Sequence, residues 1–470
     1  MRKGYGGREA DGATGGDWRR RPKPGAARYG ELCEPYAPSF ILFGTFEVFM
    51  DIKLSDHFTF GRLIRFTLPS IGMMVFTSIY SVVDGIFVSN FVGKDAFAAI
   101  NLVMPFLMIF GGVGFMFGTG GSALVAMTLG EQKKERANQY FTMIIAGTAI
   151  TGAIISLIGC IIMRPVAIWL GAEGDIINDC VIYGRIMMIF NITFMLQNAF
   201  QGFFITAEKP HLGLITTVAA GLTNMVLDAL LVGVLRLGVA GAAIATGLCQ
   251  TVGGIIPLIY FLRPNSSILR LIRTKLEIKS IARACWNGAS EFVSNTASSI
   301  VGIVYNFQLL KYAGADGVAA NGVLMYVQFI FIAMFVGYAM GGAPIISYHY
   351  GAGNTDELRN MFKKSNIIMG IAGSIMTVLA FTLAGTLSRI FVGYDAELFA
   401  MTKHAFRIFS LAFIFSGFTI FASSFFTALN NGGISAAISF LRTFIFKMAA
   451  VIIMPVFWKL DGIWWSVTMR

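Results

Sequence analysis

The chain has 470 residues, 56% of them hydrophobic and only 13% charged, with a formal net charge of +11 and a mean hydropathy of +0.71. Soluble domains carry about 25% charged residues, so a soluble globular protein is excluded. The positive balance needs no nucleic-acid partner, because the positive-inside rule accounts for it.

Residues 1–49 stand apart from the rest: they are rich in glycine and contain RRRPKP at 19–24. The apolar stretch Ser39–Met50 is too short to span a bilayer, and Glu9, Asp11 and Asp17 do not suit a transit peptide. Met50 directly precedes an amphipathic lead-in. Residues 1–54 are therefore read as an N-terminal extension, either a disordered tail or a non-native start. Apolar runs then follow one another with short polar breaks, each long enough to cross about 30 Å of hydrocarbon. The first six are expected near 64–90, 97–128, 138–163, 178–206, 211–235 and 239–262. Residues 263–284 form a basic linker. Five more spans are expected near 285–311, 317–350, 366–392, 398–429 and 432–457, and a twelfth opens near 461. The resulting segments are 55–262, with six helices, and 285–470, with five helices and a shortened last one.

The two segments repeat each other at a gapless offset of 221 residues. Gly93, Asp95, Ala98 and Ala99 recur as Gly314, Asp316, Ala319 and Ala320. Gly120, Gly121 and Gly130 recur as Gly341, Gly342 and Gly351, and Thr206, Ala207 and Gly241 as Thr427, Ala428 and Gly462. The expected fold is an all-α polytopic membrane protein with two pseudo-symmetric six-helix lobes. Parallel repeats of this kind build secondary transporters, with the substrate path between the halves. By the repeat, the twelfth helix stops about 13 residues short of its copy and is read as incomplete.

Cations set the expected topology. Lys133, Lys134, Arg136, Lys209, Arg359, Lys363 and Lys364 fall on one side, together with linker residues Arg263, Arg270, Arg273, Lys275, Lys279 and Arg283. Isolated cations such as Lys94, Arg164 and Arg236 fall on the other. The rule places the N-terminus and the linker in the cytoplasm. Cys33, Cys160, Cys180, Cys249 and Cys285 show no CxxC spacing, and the four histidines are scattered, so no disulfide or zinc framework is expected. The glycine run at 111–121 lies inside an apolar span with no GK[ST] after it, which favours close helix packing over a phosphate loop.

Charges inside the spans carry the most information, since each costs about 2.5–3.5 kcal/mol at the helix centre. Asp84 lies in the first span, one turn after Tyr80, and Asp228 in the fifth, one turn after Asn224. The i,i+4 spacing puts each pair on one helix face. Two carboxylates, an amide and a phenol facing one cavity can hold a cation or share a proton. Alternatively, each acid caps a broken helix or bonds its neighbour. Neither acid is copied by the repeat, whose equivalents are Tyr305 and Ala449, and that asymmetry favours a task. Glu291 opens the expected seventh span, where an acid also suits the helix dipole. Gln201 and Arg442 are further candidates for gating or for lining a cavity.

The runs LPS, YSVVDGIFVSNFVG and GSALVAMTLGE in the first lobe, FQGFFITAEKPHLGL at the fourth turn, and SEFVSNTASSIVGIVYN, GGAPIISYHYGAGN and LDGIWWSV in the second resemble the multidrug and toxic compound extrusion (MATE) family. The similarity covers about residues 55–470 and looks closest to the bacterial subgroup of staphylococcal-type and DNA-damage-inducible-type exporters. The resemblance implies two six-helix lobes in a V around a central cavity. It also implies a first-lobe cation site, which falls on Tyr80, Asp84, Asn224, Asp228 and Thr246. The expected function is antiport of organic, cationic or amphipathic compounds for H⁺ or Na⁺. Na⁺, if it is the ion, would sit at Asp84, Asn224 and Asp228. No cofactor and no other metal is expected. The chain is expected to work as a monomer in the plasma membrane, with small organic molecules and the lipid bilayer as its partners. A flippase for lipid-linked oligosaccharides is the alternative, although few basic residues lie within the spans. An enzyme is not expected, since neither HExxH nor a nucleophile–base pair is present.

Overall fold

A computed structural model describes residues 52–92, 94–174, 176–393 and 395–468, and these contain helices and connecting turns but no strand. Most of the N-terminal extension, including Cys33, lies outside the described residues, as does Gly93. Its last residue does not: Leu54 is fully buried and belongs to the packed protein rather than to a tail.

The helices in chain order are α1 (Phe60–Phe91), α2 (Lys94–Gly130), α3 (Lys134–Trp169), α4 (Ile176–Thr206), α5 (Pro210–Leu227), α6 (Gly238–Leu262), α7 (Ile278–Gly351), α8 (Thr355–Val392), α9 (Ala396–Ser410), α10 (Ala412–Ala428), α11 (Gly432–Phe440) and α12 (Lys447–Ser466). π-Helical turns continue α5 at Asp228–Val234 and join α11 to α12 at Leu441–Phe446. Nine stretches among the described residues are long and apolar enough to cross a membrane, and α9 with α10, bent by 46°, makes a tenth. Prolines such as Pro69, Pro105 and Pro257 sit inside helices. Neighbouring helices in a bilayer can satisfy the backbone groups a proline frees, so membrane helices tolerate it.

Boundaries differ from expectation in informative places. α7 runs through the expected seventh and eighth spans as one element, bent at Gly314 (φ 62°, ψ −152°). Glycine alone enters that region without a Cβ penalty. α7 also starts at Ile278, inside the stretch read as linker, because Lys279 to Arg283 are helical. Glu291 therefore lies more than three turns into α7, not in its first turn, and the helix-dipole account of that acid fails. α8 begins at Thr355, well before the expected 366, because Asn354 caps it by accepting the Glu357 N–H at 3.1 Å. The break expected before the twelfth span is a bend at Lys459 (φ 48°, ψ −126°) within α12.

The first-lobe core contains an aromatic cluster in which Phe141 stands 4.7 Å from Phe203 and 4.9 Å from Phe261. The second-lobe core draws in residues from the other half of the chain: Leu54, Phe58, Leu63, Phe66 and Met73 pack with Phe335, Tyr338 and Phe421. The lobes also cross directly at the linker end of the bundle. A Cβ on Gly130 would meet the Tyr348 carbonyl oxygen at 2.0 Å, and one on Gly351 would meet the Met127 oxygen at 2.0 Å. Met127 and Tyr348 are themselves 221 residues apart. The repeat glycines thus form one pseudo-twofold crossing, reinforced by the Gln132 amide donating to the Tyr348 hydroxyl at 3.0 Å.

Candidate functional site

The site is assembled from α1, α4, α5 and α6. Asp84 comes from the last third of α1, and Asn224 and Asp228 from the end of α5. Asp228 is the residue at which α5 turns into the π-helix Asp228–Val234. Such wider turns are concentrated at functional sites. Asp228 is fully buried and Asn224 is 1% exposed.

The two carboxylates and the Asn224 amide converge within interaction range of one another. Among the described residues, both oxygens of Asp228, Oδ1 of Asp84 and both polar atoms of Asn224 make no hydrogen bond of ordinary geometry, although the two carboxyls and the amide stand close enough to bond one another through a shared proton. Leaving polar groups unpaired away from water is expensive, and an orphaned cluster of this size marks a place built to receive something. A cation or a proton held between the two acids supplies what is missing.

Tyr80 stands one turn before Asp84 and beside Gly221, where a Cβ would come within 2.9 Å of its ring. That glycine lets α1 and α5 approach closely at the acid pair. Thr246 on α6 donates its hydroxyl to the Ala242 carbonyl at 3.0 Å and so is engaged with its own helix.

Two neighbours escaped the sequence reading. Tyr183 of α4 and Cys249 of α6, each 1% exposed, both lie within Coulombic range of Asp84 and Asp228. A tyrosine in an otherwise apolar span is a weak sequence signal, and a cysteine three residues after Thr246 is weaker still. Only the packing of four helices reveals them.

The other candidates lie elsewhere. Gln201 is buried with its Oε1 unpartnered. With Gln197, Thr216 and Thr217 it lines a cavity of about 10 Å³, room for about one water. Glu291 on α7 and Arg442 in the second π-turn face each other within Coulombic range, in the second lobe. Each lobe therefore has a charged residue at a π-turn, and among the described residues the second lobe's Glu291 has a cation within Coulombic range while Asp84 and Asp228 have none. Among the described residues no group of three or more His, Cys, Asp and Glu side chains can hold a metal ion. The oxygen-rich acid–amide cluster suits a hard monovalent cation or a proton.

The sequence matches the MatE family over residues 69–230 and 292–453. It is 24% identical to the multidrug export protein MepA of Staphylococcus saprophyticus, covering 86% of this chain and 88% of that protein. To MepA of Staphylococcus aureus strain MSSA476 it is 22% identical, covering 87% and 90%. The fold is similar to a multidrug resistance MATE family transporter of the MOP superfamily solved in an outward-facing conformation, with a TM-score of 0.82, 20% identity, and coverage of 87% of this chain and 91% of that one. A MOP superfamily transporter from Pyrococcus furiosus gives a TM-score of 0.81 at 20% identity, covering 86% and 91%.

Proposed function

The chain belongs to the MatE family, and from that premise we propose that it is a secondary active antiporter. In this reading it exports organic, cationic or amphipathic compounds across the plasma membrane in exchange for H⁺ or Na⁺. The multidrug export relatives support the cargo class. The cluster of basic residues at 263–283 supports a cytoplasmic linker end and N-terminus.

The observation that carries the coupling is the first-lobe pair, fully buried Asp228 and half-buried Asp84, close to each other and to Asn224 with no cation beside them among the described residues. A buried carboxylate pair repels itself and costs solvation. Binding one cation or proton relieves both penalties. Tyr80 and Tyr183 bound the pocket and keep bulk water from screening it, while Thr246 can turn its lone pairs toward an ion.

The Gly130–Gly351 crossing closes the linker end, so the described conformation is closed toward the proposed cytoplasm. Ion arrival from the outside at the acid pair would favour a repacked α1 and expulsion of cargo. Such a ligand drives the change only through its differential affinity for the two states.

The test uses the full chain in proteoliposomes with an imposed proton or sodium gradient and a fluorescent organic cation. Asp84→Asn and Asp228→Asn should each reduce gradient-driven export at least ten-fold while leaving substrate binding in detergent measurable. Wild-type coupled export by both variants would sink the reading.

A further inference from the structure

We propose that the groove between the basic linker and the start of α3 is a binding site for the headgroup phosphate of an anionic phospholipid. The inference stands apart from the transport reading, since it concerns neither the acid pair nor the path between the lobes.

The groove is built, not incidental. Residues 263–277 lack helix, yet they are held against α3. The Arg270 N–H donates to Asn138 Oδ1 at 2.9 Å and the Ile272 N–H to Thr142 Oγ1 at 3.0 Å. Leu269 is fully buried beneath them, and the Ser267 hydroxyl donates to its carbonyl at 2.8 Å. The linker and helix enclose an open groove of about 750 Å³, lined among others by Arg136, Gln139, Thr142, Arg273, Lys275 and Glu277.

Its charge is unbalanced. Arg136 is already committed, to Glu277 at 2.8 Å and to Gln139 at 2.9 Å. The Arg273 and Lys275 side chains are exposed and make no hydrogen bond or ion pair with any described residue. Two uncommitted cations and the Gln139 amide N–H groups are the donors that a phosphodiester accepts from, with the Thr274 hydroxyl beside them bonded at 3.4 Å to the Lys275 carbonyl.

The surroundings identify the source of that phosphate as lipid. Directly beside the groove stand Leu276 and Ile278, 50% and 81% exposed, and two turns further Trp286 at 67%. Apolar side chains and an indole interleaved with Lys279 and Arg283 form the pattern of a segment lying at a membrane interface. Ile150, 50% exposed, is the first strongly exposed large apolar residue of α3. Thr142 lies about 12 Å nearer the helix start along the axis, toward the aqueous end of α3. A site meant for a soluble anion has no use for that apolar flank.

The experiment titrates phosphatidylglycerol into the detergent-purified full chain and counts retained lipid by native mass spectrometry, with phosphatidylcholine as the zwitterionic control. Each interfacial cation contributes about a five-fold factor in affinity for anionic lipid. The double variant Arg273→Gln/Lys275→Gln should therefore bind phosphatidylglycerol about 25-fold more weakly. Arg359→Gln/Lys363→Gln, which removes two exposed cations from α8, should stay within about two-fold of wild type. Inorganic phosphate at matched concentration should leave the retained lipid in place. The proposal is overturned if the groove variant keeps wild-type affinity, if phosphatidylcholine binds equally well, or if inorganic phosphate displaces the lipid, which would make the groove a soluble-anion site.

Discussion

At the scale of single residues, the informative contrast is between Asp228, fully buried beside a second acid with no cation near it among the described residues, and Glu291, which has Arg442 within Coulombic range. Removing the charge at Asp228 removes a burial cost, whereas removing Arg442 creates one. Asp228→Asn should therefore melt at or above the wild-type temperature while losing ion-driven export. Arg442→Met should melt lower, because it strands an acid whose unpaired burial costs about 2.5–3.5 kcal/mol at a helix centre. Thermal denaturation of both variants in one detergent checks the pair, and equal shifts of the same sign would contradict the asymmetry. Much of this site was legible in advance. A carboxylate inside an apolar run is conspicuous because of its cost, and i,i+4 spacing attached Tyr80 and Asn224 to the two acids. Tyr183 and Cys249 were not legible, since they arrive from α4 and α6 by packing alone. Thr246 was reached only through family resemblance, and its hydroxyl is already bonded within α6.

At the scale of elements, the segment entering α1 is a strap between the lobes. The Leu54 N–H donates to Glu208 Oε1 at 2.7 Å, in the turn between α4 and α5. The Phe58 N–H donates to Glu357 Oε1 at 3.0 Å, in the first turn of α8. His57 Nδ1 lies 2.6 Å from Glu357 Oε2, and Lys364 donates to the Phe58 carbonyl at 2.7 Å. Five residues thus engage an acid of each lobe, with the Leu54 and Phe58 side chains fully buried between them. Burial raises the Glu208 pKa above its ordinary value, despite the Leu54 N–H that favours the carboxylate. A raised acid contributes stability that is complete below its unfolded pKa and is lost as pH rises through the folded value. Glu208→Gln keeps an acceptor for Leu54 without a charge, so it should hold the strap as firmly as wild type and flatten that pH dependence. Glu208→Ala leaves a buried N–H unpaired and should cost about 1–3 kcal/mol. Hydrogen exchange at the Leu54 amide across pH separates the two, and indistinguishable protection in both variants would show that Glu208 does not anchor the strap. The sequence marked the stretch after Met50 as an amphipathic lead-in but gave no sign of the strap, because its partners lie about 150 and 300 residues away, at Glu208 and Glu357.

At the scale of the molecule, the repeat was visible as an offset, but its physical meaning was not. Two copies in one chain need not touch through matching residues. Here they do, since Gly130 lies on the Tyr348 carbonyl and Gly351 on the Met127 carbonyl, so a single pseudo-symmetry axis runs through the crossing of α2 with the second arm of α7. Backbones this close leave no intermediate spacing, and the crossing is either made or broken. A side chain at Gly351 is therefore expected to act on the conformational equilibrium, because it meets the backbone of the other lobe at Met127. Gly351→Val is expected to drive the linker ends apart. Spin labels at Lys133 and Asp356, on the two sides of the crossing, should report a longer and broader distance distribution than in wild type, while each lobe's helical signal is retained. Gly130→Val, acting at the symmetry-related place, should produce the same lengthening, and the double variant little more than either alone, because one contact cannot be broken twice. Additive lengthening would mean that the two glycines guard separate contacts, and an unchanged distance would mean that the crossing does not hold the linker end closed.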